Sequence, residues 1–492
     1  MKLLSGSYPT KKKKYNEKIL QIGEGNFIRA FVDWMIDEMN TKELFQGSVV
    51  TLQPTPRGKV VPNLNAQNGR FTLFTRGIQD GKRVESSRVV DAISRGVNPY
   101  VDWESALKIA ENEEIEFIFS NTTEAGIQYK QEDYDFEQPP LSFPGKLVHL
   151  LYRRFQHFNG HSEKGWVIIP CELVENNGDH LQKICLQIID DWQLPFQFKE
   201  WVMNACNFCN TLVDRIVPGY PRENEEAFQQ QLDYEDSLMT VAEPYHLFVI
   251  EGPQDLPEKL PFLQAGLNVK FEAVEPYRKL KVMLLNGPHT MLAIMGLLNS
   301  FQTVKEAMEN KVIHRWILST MENEIIPYLP KELKSEAHQY VESVIDRFSN
   351  PFIQHRLVDI SLNSVAKWQA RLLPSLEVFF EKEGKLPKGI VLSLAGLFQF
   401  YRVAQVGDQF MNEEKSYTIR DNFDDFQLFY SYWKTSQKER DIQATLQKFI
   451  GKPVSYLEEL SSAIHEMLLL QNREGIMHTI EGVTKNENNR LS

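Results

Sequence analysis

Ile19-Leu20-Gln21-Ile22-Gly23-Glu24-Gly25-Asn26-Phe27-Ile28-Arg29-Ala30 is the stretch on which the fold turns. Ile19 to Ile22 is a short apolar run stopped by Gly23, and Phe27, Phe31, Met35 and Met39 then recur on one helix face. The stretch reads as a strand, a tight turn and a helix. Glycines at such a turn let the backbone approach a pyrophosphate seated on the helix N-terminus. Gly23 and Gly25 meet that need, but Ile28 stands where GxGxxG has its third glycine, so the motif alone also fits a plain βα turn. Arg29, one turn in, is either a cation near phosphates or a solvated helix charge.

Outward from this turn, apolar runs at 48–53, 116–120 and 166–170 read as further strands, and 101–112 and 144–155 as helices. That alternation gives βαβ units and a mainly parallel sheet. The second strand ends at Gln53 and runs into Pro54-Thr55-Pro56-Arg57, with no Asp or Glu for an adenosine ribose. The choice between NAD and NADP therefore stays open, Arg57 being a 2′-phosphate partner or a surface charge. After the third run comes Ser120-Asn121-Thr122-Thr123-Glu124-Ala125-Gly126, small polar residues suited to a nicotinamide or ribose neighbourhood, or to a capping turn.

After about residue 270 helical patterns dominate. Val304, Met308, Val312, Trp316, Met321 and Ile325 form one apolar stripe, and Leu457, Leu460, Ile464, Met467 and Leu468 another. Residues 390–401 read as a buried core helix, and 484–492 as a polar, frayed end. The expected organisation is an α/β Rossmann-type domain at 1–275 and a mainly α-helical domain at 276–492, with a cleft between them as the natural site.

Composition fits a soluble globular protein: 492 residues, 42% hydrophobic and 24% charged. The formal net charge of -12 disfavours nucleic acid and anionic membrane surfaces as partners. Residues 1–7 hold no apolar leader before the basic run Lys11 to Lys14, and no apolar stretch is long enough for a membrane span. Four cysteines suit a reducing, cytoplasmic compartment, and Cys206 and Cys209 form a lone CxxC that reads as core more readily than as a zinc or redox site.

In Lys281-Val282-Met283-Leu284-Leu285-Asn286-Gly287-Pro288-His289, α-helical rotation puts Asn286 about 140° and His289 about 80° from Lys281, so all three can face one side. Pro288 calls for a helix boundary or kink. A lysine with its pKa lowered by burial can act as acid or base near neutral pH, while Asn and His can bind a carbonyl oxygen and orient a hydroxyl.

Taken in order, the GxGxFxRA turn, the TTEAG segment, Val213-Asp214-Arg215-Ile216 and the K-x4-N-x2-H segment resemble the long-chain polyol (mannitol-type) dehydrogenase family over nearly the whole chain. Segments 21–36, 120–127, 169–178, 212–221 and 347–351 read like the branch that interconverts tagaturonate and altronate. The resemblance implies hydride transfer between NAD and a sugar-derived alcohol or ketone, without metal. It makes Lys281 the general acid/base, Asn286 the stabiliser of the alkoxide and His289 the residue that orients substrate. Ile22, Gly23, Gly25, Asn26, Phe27 and Arg29 would hold the cofactor, with Thr123 and Glu124.

One departure stands out: Cys171-Glu172-Leu173 replaces the Cys-Asp-Asn of mannitol-type members. Leu173 cannot donate a hydrogen bond, which leaves Asn177 as the remaining candidate there; the tagaturonate/altronate branch shares a Cys-Glu-Leu version, and that resemblance favours a uronate-derived substrate over mannitol. Such a sugar acid needs a cation, and Arg347, Lys367 and Arg371 are the candidates, each otherwise a surface or structural charge. His355 and Asp214 are weaker site candidates, read more readily as structural residues. The expectation is a monomer or small homo-oligomer in hexuronate catabolism; a fructuronate/mannonate or polyol dehydrogenase is the alternative, and a nucleotide-sensing binding protein the non-enzymatic one.

Overall fold

The central strands at 48–52, 117–120 and 167–170 are buried on both faces, which is why they read as apolar runs. In the computed structural model the described residues are 2–4, 15–406, 409–412, 417–435 and 441–488. Two compact units divide the chain after Tyr277, and the short segment Gly77–Lys82 belongs to the second. The run Lys11 to Lys14 lies outside the described residues.

Six strands form the main sheet: Glu17–Ile22 (β1), Ser48–Leu52 (β2), Ile93–Val97 (β3), Phe117–Ser120 (β4), Val167–Pro170 (β5) and Asn207–Phe208 (β6). They pair in parallel in the order β3-β2-β1-β4-β5-β6, the doubly wound order whose switch point falls between β1 and β4. Alternate residues serve opposite faces. Ile19, Val49, Phe117, Phe119 and Ile169 join one core; Leu20, Val50, Ile118 and Ile168 join the other.

The helix after β1, α1, covers residues 26–41, α-helical at Asn26–Ile28 and Trp34–Thr41 and π-helical at Arg29–Asp33. Phe143–His157 (α2) starts on the Ser142 cap, and Asn177–Asp191 (α3) follows β5. Two hairpin strands, Phe71–Gln79 and Lys82–Val90, escaped the sequence reading. So did the antiparallel pair Asn210–Asp214 and Leu247–Glu251.

In the C-terminal unit, Gly287–Leu298 (α4) and Lys388–Phe400 (α7) form a buried centre, with Gly396 set against Met295. Lys334–Phe348 (α5) and Ser364–Arg371 (α6) are the other helices that matter for the site. The stripe from Val304 to Ile325 is not one helix. Asn310 accepts from the N–H groups of Val312 and Ile313 and starts a second helix, so Ile313 is buried and Val312 only partly. Strands Ala404–Val406, Gln409–Asn412 and Tyr417–Thr418 interrupt the α pattern. The expected fray at 484–492 is corrected through residue 488: Ile476–Asn488 is helical and Thr484 is buried. Residues 489–492 lie outside the description. No described helix is long and apolar enough to cross a membrane.

Candidate active site

The glycine turn sits at the switch point because β1 and β4 end side by side. Gly23 has φ +119°, and a Cβ there would lie 2.6 Å from the Asn121 carbonyl oxygen, so only glycine fits. Gly25, at the N-cap of α1, has no side-chain cap above it and nothing within 4 Å of where its Cβ would stand. Bare amides open onto that space, which suits the pyrophosphate of a dinucleotide. Ile22 contributes backbone only, its side chain being core, and Phe27 stacks on Phe31 at 5.1 Å.

Arg29 does not reach toward phosphates, nor is it solvated. Its guanidinium is buried under the turn, where it donates to Glu24 O at 3.2 Å, Leu238 O at 2.5 Å and Asn26 Oδ1 at 2.8 Å. That commits the side chain of Asn26 as well. Next to it, burial raises the Asp33 carboxyl to about 8, and Gln21 bridges Asp33 and the Gly23 carbonyl.

At the end of β4, Thr123 and Glu124 are exposed, and Thr123 holds φ 141°, a conformation costly for a β-branched residue. Buried Glu172 shapes this loop by accepting from Ser120 Oγ at 3.0 Å, Thr122 N at 3.0 Å and Thr122 Oγ1 at 3.1 Å. Leu173 is 67% exposed. Asn177 is no substrate contact: it is fully buried, Nδ2 donates to Pro170 O, Glu172 O and Thr211 Oγ1, and Oδ1 accepts from Thr211 N. Its polar atoms are all engaged in joining β5 to the strand after β6.

Lys281, Asn286 and His289 lie on one helical run. Val282–Asn286 is π-helical, with Gly287 N donating to Val282 O five residues back. This wider turn accommodates Pro288, whose ring would otherwise meet the carbonyl four residues earlier. The kink expected at Pro288 thus takes the form of a π turn, and the α-helical angle between Lys281 and Asn286 no longer applies. Lys281 and Asn286 are half-buried.

The His289 ring stacks on Phe348 at 5.0 Å and lies 5.8 Å from the His355 ring; its Nε2 is shielded from solvent and makes no hydrogen bond. Its pKa falls to about 3, first through burial and then through His355, Arg371, Arg347 and Lys367. All three candidate cations, on α5 and α6, are thus near enough to disfavour a proton on this imidazole. Arg371 donates to Thr290 Oγ1 at 3.0 Å, and Thr290 Oγ1 to Asn286 O at 2.9 Å. Lys367 donates to Ile360 O at 2.9 Å.

Family models place this arrangement. The mannitol dehydrogenase Rossmann domain matches residues 17–262, and the mannitol dehydrogenase C-terminal domain matches 273–449. The chain belongs to the mannitol dehydrogenase family. Among curated members it is 41% identical to an altronate oxidoreductase of Halalkalibacterium halodurans over 95% of this chain and 93% of that one. It is 40% identical to one of Bacteroides thetaiotaomicron, over 95% and 97%. A substrate-free D-sorbitol dehydrogenase shares the fold with a TM-score of 0.79 at 21% identity, covering 95% of each chain. So does the Pseudomonas fluorescens mannitol 2-dehydrogenase in complex with NAD and D-mannitol, with a TM-score of 0.64 at 21% identity, covering 98% of this chain and 96% of that one.

In this mannitol dehydrogenase family member the CxxC is no shared ligand set: Cys206 packs in one core and Cys209 in the other, and burial raises each thiol to about 12. Among the described residues, no group of three or more His, Cys, Asp or Glu is placed to hold a metal ion. Sequence reasoning missed Thr290, Glu172, and Asp421, whose carboxyl burial raises to about 6 and which faces Lys367. Thr290 was findable, being four residues after Asn286; Asp421 carries no local signal.

Two tests follow from this geometry. Gly23→Ala should cost at least about 2 kcal/mol in urea unfolding, whereas Gly25→Ala should change stability by less than about 0.5 kcal/mol yet abolish NADH binding. Equal stability losses would contradict the reading of the turn. The second concerns His289, which when unfolded takes up its proton near the ordinary value of about 6.5, above its folded pKa. Its contribution to stability is intact above that pH and is lost as pH falls toward 3. The parent should therefore lose more unfolding free energy between pH 7 and pH 5 than His289→Gln does, by about one proton's linkage; parallel curves would refute a neutral His289.

Proposed function

We propose that this chain is an NAD-dependent oxidoreductase interconverting D-altronate and D-tagaturonate in hexuronate catabolism. The observation that carries the sugar-acid reading is the set of Arg347, Lys367, Arg371 and His355 around neutral His289. A carboxylate there gains charge-assisted hydrogen bonds that a neutral polyol cannot make. The altronate oxidoreductase relatives at about 40% identity support the same substrate. Four buried cysteines, none in a disulfide, suit a reducing cytoplasm, and the protein acts as a monomer or small homo-oligomer.

NAD, when bound, supplies a nicotinamide that accepts or returns a hydride. The amides of Gly25 and the first residues of α1 hold its pyrophosphate. In altronate oxidation the Lys281 amine takes the proton of the reacting hydroxyl; in tagaturonate reduction its ammonium returns that proton to the ketone oxygen. The Asn286 side-chain amide donates to the oxygen as negative charge grows on it. His289, uncharged across the working pH range, leaves Nε2 to hold a substrate hydroxyl.

Two experiments test this. With NADH, the purified protein should reduce tagaturonate much faster than fructuronate or fructose; equal or reversed preference would reassign the substrate. Lys281→Ala should lower turnover by about three orders of magnitude or more while leaving NADH affinity within about threefold. Persistent turnover would remove Lys281 from its role. A parent protein that binds NADH but turns over no sugar acid or polyol would point to a nucleotide-sensing protein instead.

A further inference from the structure

Strand β2 ends without the acidic side chain that takes the adenosine ribose in most NAD sites, but the glycine turn brings one to the same place. Glu24 Oε1 lies 2.7 Å from the point where a Cβ on Gly58 would stand, and Gln53 Cδ and Cγ lie 2.5 and 2.6 Å from that same point. The carboxyl and the carboxamide therefore meet beside Gly58, in the segment that follows β2. A side chain at position 58 would displace both.

The pair is built into the protein. Gln53 is fully buried; its Nε2 donates to Thr55 O at 2.7 Å, while its shielded Oε1 makes no hydrogen bond. Glu24 is 7% exposed. Burial raises its carboxyl to about 7, opposed by its own backbone N–H and by Arg29, so a further donor would stabilise the ionised form. Glu24 follows β1 and Gln53 follows the adjacent β2, both at the carboxyl edge where a doubly wound sheet holds its dinucleotide. Arg57, the residue that would favour a 2′-phosphate, is exposed.

We propose that Glu24, with Gln53 beside it, accepts the 2′-hydroxyl of the adenosine ribose and makes this site reject NADP. The acidic residue of the usual site is thus supplied from the glycine turn instead of from the strand end. A 2′-phosphate would bring up to two negative charges against a desolvated carboxylate and lose the hydroxyl donor at the same time. The proposal rests on the NAD reading above and goes beyond it by naming the residue that chooses between the two dinucleotides.

The test is a fluorescence titration of the full-length protein with NADH, NADPH and an NADH analogue carrying 2′-deoxyadenosine. The parent should bind NADH at least about 100-fold more tightly than NADPH and about tenfold more tightly than the deoxy analogue. Glu24→Gln should shrink both ratios by about tenfold, and Glu24→Asp, which keeps the charge, should retain rejection of NADPH. A parent that binds NADH but ignores loss of the 2′-hydroxyl overturns the assignment, and it does so whether or not the glutamine variant folds. So does a folded Glu24→Gln protein with unchanged ratios. A parent that binds neither dinucleotide overturns the NAD reading together with this one.

Discussion

The N-terminal unit depends on a charge that water does not reach. Arg29 is 3% exposed, and burial lowers its pKa to about 10 against the opposing pull of Asp236, Asp33 and Glu24. A guanidinium so placed must find acceptors, because a buried charge left unpaired costs several kcal/mol, roughly 3–5 when one partner is removed. It finds them at Glu24 O and Asn26 Oδ1 in the turn and at Leu238 O beyond it, and the carbonyls of the turn are engaged in sequence. Gly23 O accepts from Gln21 Nε2, Glu24 O from Arg29 Nε and Gly25 O from Arg29 N, so three successive carbonyls are drawn inward. Gly23 N donates to Leu52 O and the Glu24 N–H to its own carboxylate, so the amides offered to an anion are those at Gly25 and the start of α1, at the end of a helix whose dipole already favours one. Arg29 thus serves the dinucleotide site by turning away from it.

That inversion explains where the sequence was legible and where it was not. Strands β1, β2, β4 and β5 were readable because residues buried on both faces leave an unbroken apolar run. The hairpin Phe71–Gln79 and Lys82–Val90 was not, since its second strand is largely polar and exposed, although Asp80 and Gly81, both at positive φ, form the kind of turn that joins such strands. Arg29 and Asn177 were placed correctly along the chain but wrongly in space. The partners that enclose them, Leu238 for one and Thr211 for the other, come from distant segments that no local pattern announces.

In the C-terminal unit the decisive local event is the π turn at Val282–Asn286. Motif spacing located Lys281, Asn286 and His289, and Pro288 announced an irregularity, but its form depends on how Gly287 and Pro288 are enclosed. Leu372 and Arg371, at the end of α6, lie against Gly287, leaving little room for a break in the helix. An added residue in the turn is the alternative that keeps the backbone hydrogen-bonded. The cations were legible as residues and not as a group. Arg347 and Arg371 belong to different helices, and what unites them is the neutral imidazole on a third.

The two anion sites proposed above are therefore built on different physical grounds. At the glycine turn the field comes from backbone dipoles, and the nearest arginine is spent on carbonyls. No side-chain cation of the turn itself is left to reward an extra phosphate, which keeps Glu24 effective as a discriminator. Around His289 the field comes from whole charges, and it has to, because a sugar acid differs from its neutral polyol counterpart by one carboxylate in place of an alcohol. Dipoles that bind a hydroxyl and a carboxylate alike would separate the two weakly, whereas a formal cation separates them by its charge. Keeping His289 neutral within that field completes the arrangement. A protonated ring would add one more cation but lose the acceptor that a substrate hydroxyl needs; burial first, and then the cations proposed to draw in the carboxylate, hold the imidazole in the state that can orient the rest of the molecule.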